Sequence, residues 1–193
     1  MHDAPGSEQL HPLLAARSSP AAFDPAGEVS RDQLDCLLEA ARRAPSAGNS
    51  QPWAFIAGLR GDQTHARLVE HLAGSSARWA PSAGLLLANL AHLHVAETDW
   101  HYSEFSLYDL GGAVAQMTVQ AAAMGLAVRQ FRAFDRDGLA AAFAVTAHWQ
   151  VTTMSAIGYP ADASVSSPGP PSRERRDRSE LLWPLADEGR GPR

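Results

Sequence analysis

The stretch Ala40-Ala41-Arg42-Arg43-Ala44-Pro45-Ser46-Ala47-Gly48-Asn49-Ser50-Gln51-Pro52-Trp53-Ala54-Phe55 decides how the rest of the chain is read. To its left, Leu34, Leu37, Leu38 and Ala41 recur at i, i+3, i+4 and i+7, one apolar helical stripe. To its right, Trp53 to Ile56 is aromatic and β-branched, the composition of a strand. Pro45 cannot continue the helix, and it disfavours α geometry at Ala44. Gly48 and Asn49 both tolerate positive φ. A plain helix-to-strand turn needs far less polar chemistry than this. The loop is stiff and offers amides and hydroxyls with little charge. That suits a flat heterocycle with hydrogen-bonding edges better than a metal or a bare phosphate, and loops are where function concentrates.

The 193 residues fit a single domain, 1–193, with residues 1–9 a loose tail and 160–193 an extended C-terminal segment. Hydrophobic residues make up 45% of the chain, enough for a full core. The net charge of −5 leaves no electrostatic footprint for nucleic acid. All 16 basic residues are Arg, so Schiff-base or P-loop chemistry that needs a Lys is excluded. The single cysteine, Cys36, falls in the first helical stripe and is expected as a buried structural thiol. No basic segment followed by an apolar one opens the chain, and no apolar run is long enough to span a membrane. A cytoplasmic protein without a membrane partner is expected.

Helical and strand patterns alternate along the chain. Leu10–Ala16 reads as a short helix. Ser30 with Gln33 forms a capping box for a helix over 31–43. A strand follows at 53–58. Asp62 caps a helix that Gly74 ends, and the continuous apolar run Leu85–Leu90 reads as a buried strand. Residues 96–105 are polar and aromatic, a mobile loop. Ser106 opens the longest helix, to Met124, with Leu110, Ala113, Val114, Met117 and Ala121 inward. Leu126–Phe131 is a short strand, Asp135 caps a further helix, and Trp149–Ile157 alternates as a strand. The class is α/β or α+β with four or five strands.

No Gly-x-Gly-x-x-Gly follows a strand, and no Gly-x-Ser-x-Gly elbow is present. His92-x-His94 sets two imidazoles on one strand face, with no further ligand at metal-site spacing. Arg173, Arg175, Arg176 and Arg178 form the one dense positive cluster. A solvated tail is the ordinary role for such a run. A phosphate clamp is the sharper one, because guanidinium forks match phosphate oxygens. Arg17 and Ser19 make a second candidate phosphate-contact pair.

Taken together, these segments resemble the FMN-dependent nitroreductase family. Pro45-Ser46-Ala47-Gly48-Asn49-Ser50-Gln51-Pro52-Trp53 is similar to the family's Pro-Ser-x-x-Asn-x-Gln-Pro-Trp loop. Arg17-Ser18-Ser19-Pro20-Ala21-Ala22-Phe23 is similar to its N-terminal Arg-x-Ser-x-Arg/Lys-x-Phe motif. Asp109-Leu110-Gly111, Gly125-Leu126, Phe134-Asp135 and Ile157-Gly158-Tyr159-Pro160 match in order, and 173–183 looks like the closing Arg-x-Arg segment.

The resemblance implies an α+β homodimer, a three-layer α-β-α sandwich around a central, mostly antiparallel sheet. It implies two FMN sites, each built from both subunits. Arg17, Ser18 and Ser19 would hold the ribityl and phosphate end. Pro45, Ser46 and Asn49 would come from the partner and lie against the ring. Gln130, Phe131, Arg132 and Ala133 would run along the ring near N5, with Ser76 also contacting the cofactor. Arg173 and Arg175 would close on the phosphate, the 160–172 segment letting them reach across. The implied activity is hydride transfer from NAD(P)H through flavin N5 to a nitroaromatic, quinone or similar acceptor, by ping-pong kinetics. No catalytic side chain is required, because the cofactor carries the chemistry. A non-catalytic flavin-binding or sequestering role is the alternative. The chain has Ala21 where the family usually has Arg or Lys, and Ala133 where it usually has Gly. The charge lost at residue 21 is expected to come from Arg132 or Arg129.

Overall fold

Helix α2 (Arg31–Arg42) marks its own start: the Ser30 hydroxyl accepts from the Gln33 N–H at 3.1 Å, and the Gln33 side chain accepts from the Ser30 N–H at 2.9 Å. The computed structural model describes residues 9–161 and 175–183. The remaining elements are α1 (Pro12–Ala16), β1 (Trp53–Leu59), α3 (Gln63–Glu70), β2 (Leu85–His92), α4 (Ser106–Ala123), β3 (Ala127–Phe131), α5 (Arg136–Ala142) and β4 (Trp149–Gly158).

The four strands pair antiparallel throughout, in the order β1-β2-β4-β3. Strand β2 lies inside the sheet, and Leu85 to Ala91 are all buried. Its alternate residues serve two cores. Leu85 and Leu87 join Leu34, Leu37, Ala113, Met117 and Ile157 beneath α2 and α4. Leu86, Ala88 and Leu90 join Leu68, Leu139, Val151 and Met154 beneath α3 and α5. Helices therefore cover both faces, the expected α-β-α sandwich.

Strand β4 holds a slip that simple alternation does not foresee. Asn89 pairs with Thr153 but Leu90 pairs with Val151, so Thr152 is left without a partner across the strand. Such a bulge switches the side-chain parity. It is why Val151 and Met154, an odd and an even position, share one core. On the other face Asn89 is fully buried and donates to Thr153 Oγ1 at 3.0 Å and Ser155 Oγ at 2.9 Å. Gly58 admits α3 against β1, since a Cβ there would stand 2.4 Å from the His65 backbone nitrogen.

Two expectations are corrected. Helix α3 ends at Glu70, not at Gly74. The chain leaves the helix to pair with the segment after β3: Asp135 N–H donates to the His71 carbonyl at 2.8 Å and Ala73 N–H to the Ala133 carbonyl at 3.1 Å. Cys36 is exposed rather than buried, because it sits off the stripe that Leu34, Leu37 and Ala41 bury. No helix among the described residues is long and apolar enough to cross a membrane. Most of the extended C-terminal segment lies outside the described residues. Residues 175–183 are exposed, with a 3-10 turn at Arg178–Leu181.

Leu87, fully buried between the helices and the sheet, tests the first core. Leu87→Ala should cost about 3 kcal/mol of unfolding free energy in a urea titration with an unchanged slope.

Candidate functional site

The loop between α2 and β1 is fixed from both sides. Gly48, Asn49 and Gln51 all adopt positive φ, 59°, 56° and 48°. The turn closes through Asn49 N–H to the Ser46 carbonyl and Ser50 N–H to the Ala47 carbonyl, each 3.0 Å. Ser46 Oγ accepts from the Gln51 N–H at 3.0 Å. From outside, the Ala47 N–H donates to Asp109 Oδ2 at 3.0 Å. Asp109 is 5% exposed and lies in the first turn of α4, where the helix dipole favours a carboxylate. Tyr102 Oη donates to the Ser50 carbonyl at 2.9 Å. Pro45 and Asn49 stay exposed on this frame. Pro45, Ser46 and Ala47 line a cleft of about 290 Å³ together with Phe105, Tyr108 and Asp109.

A second group forms where the N-terminal segment crosses the end of the sheet. Phe23 bridges to Pro160, and Asp24 N–H donates to the Tyr159 carbonyl at 2.9 Å. This seats Arg17 and Ser18 in a cleft of about 210 Å³ between α1, the C-terminal half of α4 and the start of β3. Ser19 is exposed beside them. One guanidinium and two accessible hydroxyls are the donor set a phosphate group takes.

Gln130 and Arg132 are exposed, and Phe131 and Ala133 half-buried, at the far end of β3. The Ala133 carbonyl is pinned by Ala73 N–H and by the Ser76 hydroxyl. Ser76 is 1% exposed, and its hydroxyl is spent on the carbonyls of Ala73 and Ala133. Ser76 thereby braces the 130–133 segment. Arg132 lies with its guanidinium 5.0 Å from the Phe134 ring centroid. Arg173 lies outside the described residues; Arg175 is exposed in the C-terminal segment.

The expected cofactor residues therefore fall into two sets on one chain. Pro45, Ser46 and Asn49 precede β1. Gln130 to Ala133 follow from β3, with Arg17 to Ser19 beside that strand's start. Strands β1 and β3 are the two edges of the sheet. Three inter-strand steps of about 4.8 Å separate them by roughly 14 Å.

Two histidines expected on one strand face are used for packing. His92 lies between the rings of Tyr102, at 3.8 Å, and Trp149, at 4.5 Å, and His94 stacks with His101 at 5.3 Å. No group of three or more His, Cys, Asp or Glu able to hold a metal occurs among the described residues. Burial, then the neighbouring His148, holds the His92 pKa below its usual range, and burial does the same for His65. Asp109 and Tyr102, which frame the loop, escaped a role in the sequence reading. Their partners lie about 50 to 60 residues away in the chain, and no local pattern announces such contacts.

A family model described as the nitroreductase family matches residues 14–159, and the chain belongs to that family. A protein of Haemophilus influenzae named as a candidate NAD(P)H nitroreductase is 39% identical over 49 residues, 25% of this chain and 22% of that one. An uncharacterised 15.4 kDa protein of Mycolicibacterium smegmatis is 28% identical over 147 residues, 70% of this chain and 95% of that one. The first match spans only about a fifth of its relative's length. The crystal structure of an oxidoreductase containing FMN superposes with a TM-score of 0.76 at 27% identity, covering 86% of this chain and 83% of that one. A candidate nitroreductase of Exiguobacterium sibiricum in complex with FMN shares the fold, with a TM-score of 0.74 at 18% identity over 88% and 94% of the two chains.

Two outcomes follow from this geometry. Asp109→Ala should lower stability by about 2 kcal/mol, the range for a hydrogen bond to a charged group, and should speed hydrogen exchange at the Ala47 amide. His65 and His92 have lowered pKa values when folded, so the unfolded chain binds more protons below about pH 6.5. Unfolding free energy should fall as pH drops from about 7.5 to about 5.5, and His92→Phe should make that slope shallower.

Proposed function

We propose that the protein is an FMN-dependent NAD(P)H oxidoreductase of nitroreductase type that works as a homodimer. The observation that supports this reading is that the residues the resemblance assigns to the cofactor fall at opposite edges of one sheet. One chain cannot close both sets on a single ring, but two chains related by a two-fold axis can do so twice. The outer face of α4 supports the same arrangement. Leu107 is 50% and Tyr108 81% exposed, and Gly111 and Ala115 continue a small, apolar stripe. Such a stripe favours close helix packing against a second copy.

When bound, FMN would supply hydride acceptance and donation at N5. The chain's residues hold and orient it. Arg17, Ser18 and Ser19 bind the phosphate and ribityl end, assisted by Arg173 and Arg175. The backbone at Gln130 to Ala133, braced by Ser76, fixes the edge that carries N5. Pro45, Ser46 and Asn49 of the second copy cover the ring, and their rigid loop keeps the ring from tilting. NAD(P)H and then a nitroaromatic, quinone or similar acceptor occupy the same space in turn. Phe105 and Tyr108, beside Pro45, provide flat apolar surface for such molecules.

Gel filtration of protein reconstituted with FMN should give a yellow dimer. NADPH or NADH should bleach it without oxygen, and a quinone should restore the colour. Steady-state lines at several acceptor concentrations should be parallel. A monomer that takes up no FMN would overturn the proposal. A yellow dimer that neither nicotinamide bleaches would favour the flavin-sequestering role.

A further inference from the structure

Histidines His92, His94, His101 and His148, four of the eight in the chain, gather at one end of the sheet. His92 closes β2, and His148 stands just before β4. His94 and His101 bridge across the base of a hairpin formed by residues 93–102. Between ring centroids, His92 lies 5.4 Å from His148 and His94 lies 5.3 Å from His101. The backbone keeps them there: the Leu93 and His94 N–H groups both donate to the His148 carbonyl, at 2.8 and 3.3 Å. No ion pair among the described residues gives any of the four a carboxylate. Glu97, Asp99 and Glu104, the carboxylates of this segment, are exposed. Imidazole is the side chain whose charge changes between about pH 5 and 8. This cluster accommodates neutral rings and has nothing to balance charged ones.

His92 is the member least able to take a proton. Its ring is held between those of Tyr102 and Trp149. Its Nε2 is buried and has no hydrogen-bond partner among the described residues. A proton there makes an unpaired donor on a desolvated charge. Burial, and after it the like charge of His148, already hold its pKa below the usual range, while the His94 backbone works the other way. The remaining groups around it bring no compensating charge. Ser106 Oγ donates to the His92 carbonyl at 2.6 Å, and the Pro52 carbonyl accepts the His92 N–H at 3.0 Å. Asp109, further along α4, accepts from the Ala47 N–H. Yet the same stack also seats Tyr102, whose hydroxyl holds the Ser50 carbonyl at 2.9 Å.

We propose that the hairpin is a pH-operated latch on the loop between α2 and β1: a proton taken up by His92 opens its stack with Tyr102, and the Tyr102 hydroxyl then leaves the Ser50 carbonyl. The open form binds the proton more tightly than the closed one, because water solvates the charge and His148 is no longer held beside it. The latch is therefore closed above about pH 7.5 and weakens as pH falls through about 6.5. One proton per opening raises the opening constant by at most about tenfold per pH unit. The latch belongs to this chain with or without a cofactor. Where Pro45, Ser46 and Asn49 cover a bound ring, as proposed above, acid would loosen that cover.

Hydrogen exchange on the full chain, followed by NMR from about pH 7.5 to about 5.5 at several low urea concentrations, tests the latch. The reporters are the Val95 and Tyr102 amides in the hairpin, the Gln51 amide in the loop and the Leu87 amide in β2. Between about pH 6.5 and 5.5, protection at Val95, Tyr102 and Gln51 should fall about tenfold, without the urea dependence that marks Leu87. Tyr102→Phe keeps the ring and removes the hydroxyl, so the hairpin amides should keep their pH dependence and Gln51 should lose it. His92→Phe keeps a flat ring that cannot take the proton, so all three amides should become independent of pH. Flat protection in the wild type would overturn the inference. So would an unchanged fall in His92→Phe, or a fall in the hairpin that Gln51 does not share. A fall carrying the urea slope of Leu87 is global unfolding and overturns it as well. Should His92→Phe fail to fold, His92→Gln decides in its place: loss of the pH dependence supports the latch, and an unchanged one overturns it.

Discussion

Burial of β2 on both faces is the constraint from which the rest follows. A strand covered on one side needs one helical layer; Leu85 to Ala91 need two. That demand brings α2 and α4 to one face and α3 and α5 to the other. It puts β2 and β4 in the middle and leaves β1 and β3 as edges. The connections into those edges carry the polar chemistry. The polar loops stand at opposite edges because the most apolar strand must be central.

Much of this was legible in the chain. Ser30, Asp62 and Asp135 cap their helices as local chemistry dictates, and the apolar stripes fall on the buried faces. What was not legible depends on distant residues. The helix after Asp62 stops early because residues 71–73 pair with 133–135, a contact no local propensity encodes. Cys36 falls within the stripe by position and outside it by angle. The slip at Thr152 resolves a conflict between two cores that only the folded sheet brings together.

The candidate site shows the same division. The loop at Pro45 to Asn49 was readable because prolines, a glycine and an asparagine determine backbone shape directly. Its supports were not, since Asp109 and Tyr102 act from another helix and another loop. The resemblance sets Ser76 at the cofactor; in the fold it is buried, and its hydroxyl donates to the Ala133 carbonyl. A resemblance can locate a position along the chain without fixing which way its side chain turns.

The hairpin between Leu93 and Tyr102 closes through Val95 to Trp100 and Tyr102 to Leu93, each 2.8 Å. Tyr102 at its base is gripped twice, its ring against His92 and its hydroxyl on Ser50. Residues 96–100 beyond that grip are exposed and contribute nothing to either core. The hairpin therefore behaves as an interchangeable tip on a fixed post. Selection can lengthen, trim or recolour it without disturbing the two cores.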